Sequence, residues 1–246
     1  MTILIIGGDS RLSQYLEPAL LNNKFHTIKT SRKNTKNSIH LNFSEIDKFI
    51  IPNHITHAII VGGVTSYDDC ENNYNYAYKI NCINIPKLIS KFLKKNIFII
   101  YISTNTVFKY DSLPNETDHP NPGFPYAKLK FITENKINEI ALNENKKNML
   151  SILRLTKNVC ENTSPFNDWI KNINNNIRFN VFRDLYFAPI KFYDSSNTII
   201  KIIQQNAHGT FHLSGEKDIS YSSFALEFLD YLNIDKNLCK EINSVD

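Results

Sequence analysis

A chain of 246 residues with 42% hydrophobic and 12% aromatic content can bury one sizeable core, which excludes a disordered tail and permits one large or two small domains. Its formal charge of +4 comes from basic residues scattered among many asparagines, so no basic stripe forms and no nucleic-acid partner is expected. Cys70, Cys82, Cys160 and Cys239 lie far apart without C-x-x-C pairing and read as free thiols, which leaves no zinc or redox motif.

The first apolar run, Ile3 to Ile6, stops at Gly7-Gly8 with no basic segment before it. No stretch approaches the roughly 20 apolar residues of a membrane span, so a cytoplasmic location without a membrane partner is expected. In chain order, the pattern predicts a strand at Thr2–Ile6, a helix at Arg11–Asn22 with Pro18 placed awkwardly inside it, and strands at Thr27–Thr30 and Ala58–Val61. A helix over Tyr74–Lys94 and a strand at Phe98–Ser103 follow. The segment Asp111 to Pro125, with prolines 114, 120, 122 and 125, is a loop that delivers Tyr126 to a helix over Tyr126–Asn143, and a strand at Ser151–Leu155 comes next. β-Branched runs alternating with amphipathic segments give an α/β fold, a doubly wound parallel sheet covered on both faces by helices.

After Leu155 the regularity weakens. Phe166–Ile173, Ile177–Phe182 and Ser195–Gln205 read as a smaller region, followed by a strand at Thr210–Leu213 and a helix at Tyr221–Leu232. The expected division is residues 1–155, with return segments from the C-terminal part, and residues 156–246.

A strand ending in Gly7-Gly8 and followed by Asp9-Ser10-Arg11-Leu12-Ser13 and a helix is where a Rossmann fold brings a pyrophosphate onto a helix N-terminus. Of the three glycines used there, only the first stands in its place; Ser10 and Ser13 occupy the others, and a plain strand–turn–helix that only packs is the alternative reading. Gly7, Ser10, Arg11 and Leu12 are the cofactor-binding candidates. Past the second strand come Ser31-Arg32-Lys33 rather than an acidic residue. Arg32 would suit a 2′-phosphate, which favours NADP(H) over NAD(H), while a solvated basic turn is the alternative. Gly62, Gly63 and Val64, after the Ala58–Val61 strand, offer a second close backbone approach at the cofactor edge of the sheet.

Ser103-Thr104 at a strand end, then Tyr126 and Lys130 one helical turn apart on one face, form the catalytic candidates. A cation beside the phenol would lower its pKa from about 10, making Tyr126 a proton donor to a carbonyl oxygen that gains charge during hydride transfer. Thr104 or Ser103 would give that oxygen a hydrogen bond. The spacing alone is common by chance; its weight comes from the order of nucleotide loop, glycine pair, Ser-Thr, loop, Tyr and Lys.

These stretches resemble the extended short-chain dehydrogenase/reductases and, within them, the dTDP-4-dehydrorhamnose reductase family. The likeness runs through residues 101–108 (Tyr-Ile-Ser-Thr-Asn-Thr-Val-Phe), Glu116-Thr117-Asp118, Tyr126 to Lys130, Leu153-Arg154-Leu155, residues 184–189 and residues 209–215. The resemblance implies an N-terminal Rossmann domain, a small C-terminal substrate-binding region, and NAD(P)H-dependent reduction of a nucleotide-linked 4-keto-deoxysugar for surface polysaccharide. It also implies that Lys130 holds the nicotinamide ribose. Ser10, Ser13 and Asn105, which stands where the family usually has aspartate, depart from the pattern. An NAD-dependent epimerase and a non-catalytic dinucleotide or nucleotide-sugar binder stay open, as does the oligomeric state, a homodimer included. His54, His57 and His212 lack metal-ligand spacing. Trp169 is either core or a stacking platform, and Arg183 either a surface ion pair or a diphosphate contact.

Overall fold

The computed structural model describes residues 1–33, 35–109 and 114–245. Asp111 to Leu113 of the expected proline-rich loop lie outside the described residues; its remainder up to Phe124 forms neither helix nor strand.

The chain orders as β1 (Thr2–Ile6), α1 (Arg11–Asn22), β2 (His26–Ser31), β3 (Ile39–His40), β4 (His57–Ile60), α2 (Tyr67–Asn72), α3 (Tyr74–Tyr78), α4 (Ile85–Lys94), β5 (Phe98–Thr104), α5 (Pro125–Asn143) and β6 (Leu150–Leu155). After these come β7 (Asn158–Val159), α6 (Phe166–Asn174), β8 (Phe179–Phe182), β9 (Tyr186–Phe187), β10 (Ile190–Lys191), α7 (Phe192–Gln205), β11 (Gly209–Leu213), β12 (Ile219–Ser220), α8 (Tyr221–Tyr231) and β13 (Cys239–Ile242). Among the described residues no helix is long and apolar enough to cross a membrane.

Two compact units divide the chain. The first is Met1–Leu155 with Tyr193–Leu213, the second Thr156–Phe192 with Ser214–Asp246. The first holds a seven-stranded, all-parallel sheet in the order β3-β2-β1-β4-β5-β6-β11, a doubly wound Rossmann-type α/β architecture. β5 and β6 are buried at every residue, because a parallel strand covered on both faces meets apolar packing on either side. The core on one face joins Leu4, Ile6, Ala58, Ile60, Ile99 and Tyr101 to the apolar side of α4, among them Leu88, Ile89 and Phe92.

Strand order reverses between β1 and β4, so the carboxyl ends of these two strands border the crevice in which such sheets bind ligands. α1 runs unbroken past Pro18. The helix expected over Tyr74–Lys94 instead passes through a π-helical stretch, Lys79–Asn84, before α4. Pro86 is the physical reason: it has no N–H for the carbonyl of Cys82, and that carbonyl accepts from Lys136 Nζ at 2.8 Å. A second difference is that Ser195–Gln205, expected in the smaller region, lies in α7 and belongs to the first unit. A parallel strand can follow its neighbour only through a long crossover, and α7 feeds β11 into place beside β6.

The second unit has three two-stranded ladders, β7–β10, β9–β12 and β8–β13. Its core gathers Phe166, Trp169, Phe179, Phe187, Ala225 and Leu229, so Trp169 is a core residue, stacked on Phe179.

Candidate active site

β1 ends at the crevice with Gly7 at φ +93°, a left-handed conformation that side chains disfavour. A Cβ there would stand 2.6 Å from the Gly62 backbone, so the loops after β1 and β4 touch main chain to main chain. The two serines that replace glycines fit this arrangement. Ser10 is the N-cap of α1, accepting from Ser13 N at 3.2 Å, while buried Ser13 donates its hydroxyl to the Gly7 carbonyl at 2.9 Å and lies 2.8 Å from Ser10 Oγ. The hydroxyl of Ser13 thus braces the turn from which its side chain departs. Arg11 is exposed and Leu12 buried at the start of α1, where first-turn N–H groups have no intrahelical partner.

Gly62, Gly63 and Val64 leave β4 on the other side of the crevice. Buried Asn81, on the π-helical stretch, clamps them: its side chain accepts from Val64 N at 2.9 Å and donates to Val64 O at 2.8 Å. Gly63 sits at φ +148°, and a Cβ on it would meet Asn81 Oδ1 at 2.9 Å.

At the end of β2, Ser31 is buried while Arg32 and Lys33 are exposed. The Ser31 hydroxyl donates to Asp9 Oδ2 at 2.5 Å and accepts from Lys33 N at 2.8 Å. A carboxylate therefore stands where the sequence offers only basic residues, carried there by the loop after β1.

The catalytic candidates converge at the carboxyl end of β5. Thr104 is buried, and its hydroxyl is near enough to Tyr126 to act on the phenol. Thr104 Oγ1 also lies 3.0 Å from Thr106 Oγ1. Burial, with Tyr67 and Cys70 nearby, pushes the Tyr126 phenol well up, against a smaller opposing effect of Thr104. The expected lowering by Lys130 is absent because that ammonium is engaged elsewhere, donating to the Ile102 carbonyl at 2.7 Å and to Tyr101 Oη at 3.2 Å. Burial lowers Lys130 to about 8, opposed by the charge of Glu134.

Ser103 faces a different partner: its hydroxyl donates to Glu134 Oε1. Tyr101 and Ser103 are two apart on a strand and share a face, as Lys130 and Glu134 do one turn apart on α5. Glu134, only 2% exposed, pairs with buried Arg154 of β6 at 2.6 Å. Arg154 lies 3.2 Å from His212 Nε2 and against the Phe108 ring, and the backbone N–H of His212 donates to Glu116 Oε1 at 3.1 Å. Asp9, Asn81, Tyr101, Glu134 and Arg154 were not singled out as site residues by sequence. Glu134 had a usable signal, one turn past Lys130 as Lys130 is past Tyr126, and Arg154 had another as a charge inside the apolar run Ile152-Leu153-Arg154-Leu155.

Several other candidates fall outside this cluster. His57 bonds Asn206 at 3.1 Å, His54 is exposed, and Arg183 donates to Asn243 at 2.7 Å. Among the described residues the cysteines are free, and no group of three His, Cys, Asp or Glu side chains could hold a metal ion.

The family model for the RmlD substrate binding domain matches residues 1–246. The chain belongs to that family. No curated protein matches it. Among solved structures, it resembles a dTDP-4-dehydrorhamnose reductase of Clostridium acetobutylicum at 23% identity and a TM-score of 0.85, over 100% of this chain and 85% of that one. It also resembles a dTDP-4-dehydrorhamnose reductase of Bacillus anthracis solved in complex with NADP, at 21% identity and a TM-score of 0.85, over 99% and 85% of the two chains. MoeE5, in complex with UDP-glucose and NAD, shares 12% identity and a TM-score of 0.83 over 99% and 85%. Similarity at these identities establishes the fold that this RmlD-family chain adopts.

Proposed function

We propose that this RmlD-family chain is a nicotinamide-dinucleotide-dependent reductase of a nucleotide-linked keto-deoxysugar, of the kind that supplies surface polysaccharide. The observation that carries the reading is the convergence of Thr104 and Tyr126 at the carboxyl end of a strand in a doubly wound sheet, with Lys130 one turn away.

The residues at the crevice fit a dinucleotide. Gly7 and Gly62 make an approach that any Cβ would fill, and the first turn of α1 aims N–H groups at the place of a pyrophosphate. Gly7, Ser10, Arg11 and Leu12 on one side and Gly62, Gly63 and Val64 on the other would hold it. When bound in its reduced form, the dinucleotide supplies hydride. Thr104 and Tyr126 would grip the sugar's carbonyl oxygen with two hydroxyls. Tyr126, whose phenol burial keeps protonated, would then deliver the proton as that oxygen becomes an alkoxide. Lys130 would hold the ribose, exchanging its bonds to Ile102 and Tyr101 for ribose oxygens. Ser103, bound to Glu134, is left to positioning. The first unit is then the dinucleotide-binding part and the second the sugar-nucleotide part.

The experiment is to follow oxidation of NADH and NADPH with dTDP-, GDP- and UDP-linked 4-keto sugars, using wild type and Tyr126→Phe. Sugar-dependent oxidation that Tyr126→Phe removes supports the reading. Dinucleotide binding without turnover of any such sugar overturns the reductase and leaves a binding protein.

A further inference from the structure

Dinucleotide folds commonly end the second strand with an acidic residue that hydrogen-bonds the adenosine ribose and repels a 2′-phosphate. In this chain β2 ends in Ser31, and the two residues after it are basic, which taken alone favours the phosphorylated cofactor. The folded chain alters that balance. Asp9 comes from the loop after β1, 22 residues earlier, and its carboxylate is fixed against the Ser31 hydroxyl at 2.5 Å, while Lys33 N closes the other side of the same hydroxyl at 2.8 Å.

The link holds the loop after β1 to the end of β2, the two segments between which the adenosine ribose would lie. A carboxylate only accepts hydrogen bonds, and the one from Ser31 leaves it capacity for hydroxyl donors. Asp9, Arg32 and Lys33 are all exposed, so solvent and salt screen each of them; the difference is that the Asp9 carboxylate is tied to a buried hydroxyl. The Ser31 hydrogen bond holds that like charge in one place at the end of β2.

We infer that Asp9 is the specificity residue for the dinucleotide and selects NADH over NADPH by accepting hydrogen bonds from the ribose hydroxyls and repelling a 2′-phosphate. This rests on the dinucleotide reading above and reverses the preference suggested by Arg32.

Calorimetric titration of the purified chain with NADH and with NADPH, at low and moderate salt, tests it without reference to turnover. Wild type should bind NADH about tenfold more tightly than NADPH, the order expected for a carboxylate facing a doubly charged phosphate across solvent. Asp9→Asn keeps the shape and an oxygen for Ser31 while removing the charge; it should tighten NADPH about tenfold and leave NADH within roughly threefold. Arg32→Ala, made on the Asp9→Asn background, should then weaken NADPH alone. Tighter binding of NADPH by wild type, or an unchanged NADH to NADPH ratio in Asp9→Asn, overturns the inference and leaves the dinucleotide reading intact. Binding of neither dinucleotide by wild type overturns both.

Discussion

Glu134 is the residue whose removal should most disturb the first unit. Its side chain is 2% exposed and that of its partner Arg154 7%; the guanidinium reaches the carboxylate through Nη2 at 2.6 Å and through Nε at 3.2 Å to both oxygens. Glu134→Ala would leave Arg154 charged in a buried site with His212 Nε2 as its remaining hydrogen-bond neighbour, and would deprive the Ser103 hydroxyl of its acceptor. Breaking a buried pair from one side costs about 3–5 kcal/mol. With a urea slope of roughly 2–3 kcal/mol/M for a unit of this size, the midpoint should fall by about 1–2.5 M. Removing both charges, Glu134→Leu with Arg154→Met, should recover most of the loss, since apolar replacement of a buried pair is often neutral. The assay is equilibrium urea unfolding followed by circular dichroism. A loss under about 1 kcal/mol, or a double variant no more stable than the single one, would refute the claim that the pair works as a buried unit.

Other outcomes follow from the same geometry. Tyr126→Phe should lower kcat by about 100- to 10,000-fold while leaving the dinucleotide dissociation constant within error, checked by steady-state kinetics beside calorimetry. Gly7→Ala, which strains a φ of +93° and drives a methyl group to 2.6 Å from Gly62, should destabilise the chain by roughly 1–3 kcal/mol and abolish dinucleotide binding, read by thermal melting and titration. Lys130 has its folded pKa lowered to about 8 from 10.5, so the folded state binds fewer protons than the unfolded state between those values. Stability should therefore rise with pH across that window, by at most about 3 kcal/mol, and be lost as pH falls through 8; Lys130→Met should flatten the rise in urea melts at pH 8 and about pH 10.

The strands of the sheet were legible because a parallel strand buried on both faces is written as an unbroken β-branched run. Thr2–Ile6 has the same bounds in sequence and structure, and β5 extends its expected range by one residue. β3, two residues long, has no period to read. The break in the helix after Tyr78 was half visible: Pro86 announces a missing N–H, but Lys136, which satisfies the freed carbonyl, lies 50 residues on and is found only by folding. Asp9 and Ser31 are brought together by the register of β1 on β2, in which Ile5 pairs with Lys29. No local pattern announces that pairing, so the carboxylate beside the end of β2 cannot be read from the sequence.

The charged line along α5 shows why a pattern of residue types predicts positions better than it predicts pKa. Tyr126, Lys130 and Glu134 follow one another at single-turn spacing, from a half-buried phenol to a carboxylate almost wholly inside. Read from sequence, the lysine should act on the tyrosine. In the fold its ammonium turns inward to the Ile102 carbonyl and the Tyr101 hydroxyl, and the anion nearest to it along the helix is already paired with Arg154. Glu134 therefore supports the charge of Lys130 without cancelling the effect of burial, which is why the lysine settles near 8 rather than above 10. A lysine in that range can be drawn fully into its charged form by an incoming oxygen acceptor such as a ribose hydroxyl. The arginine on β6 thus holds in a buried pair the carboxylate that follows Lys130 along the helix, and burial remains the larger influence on the lysine.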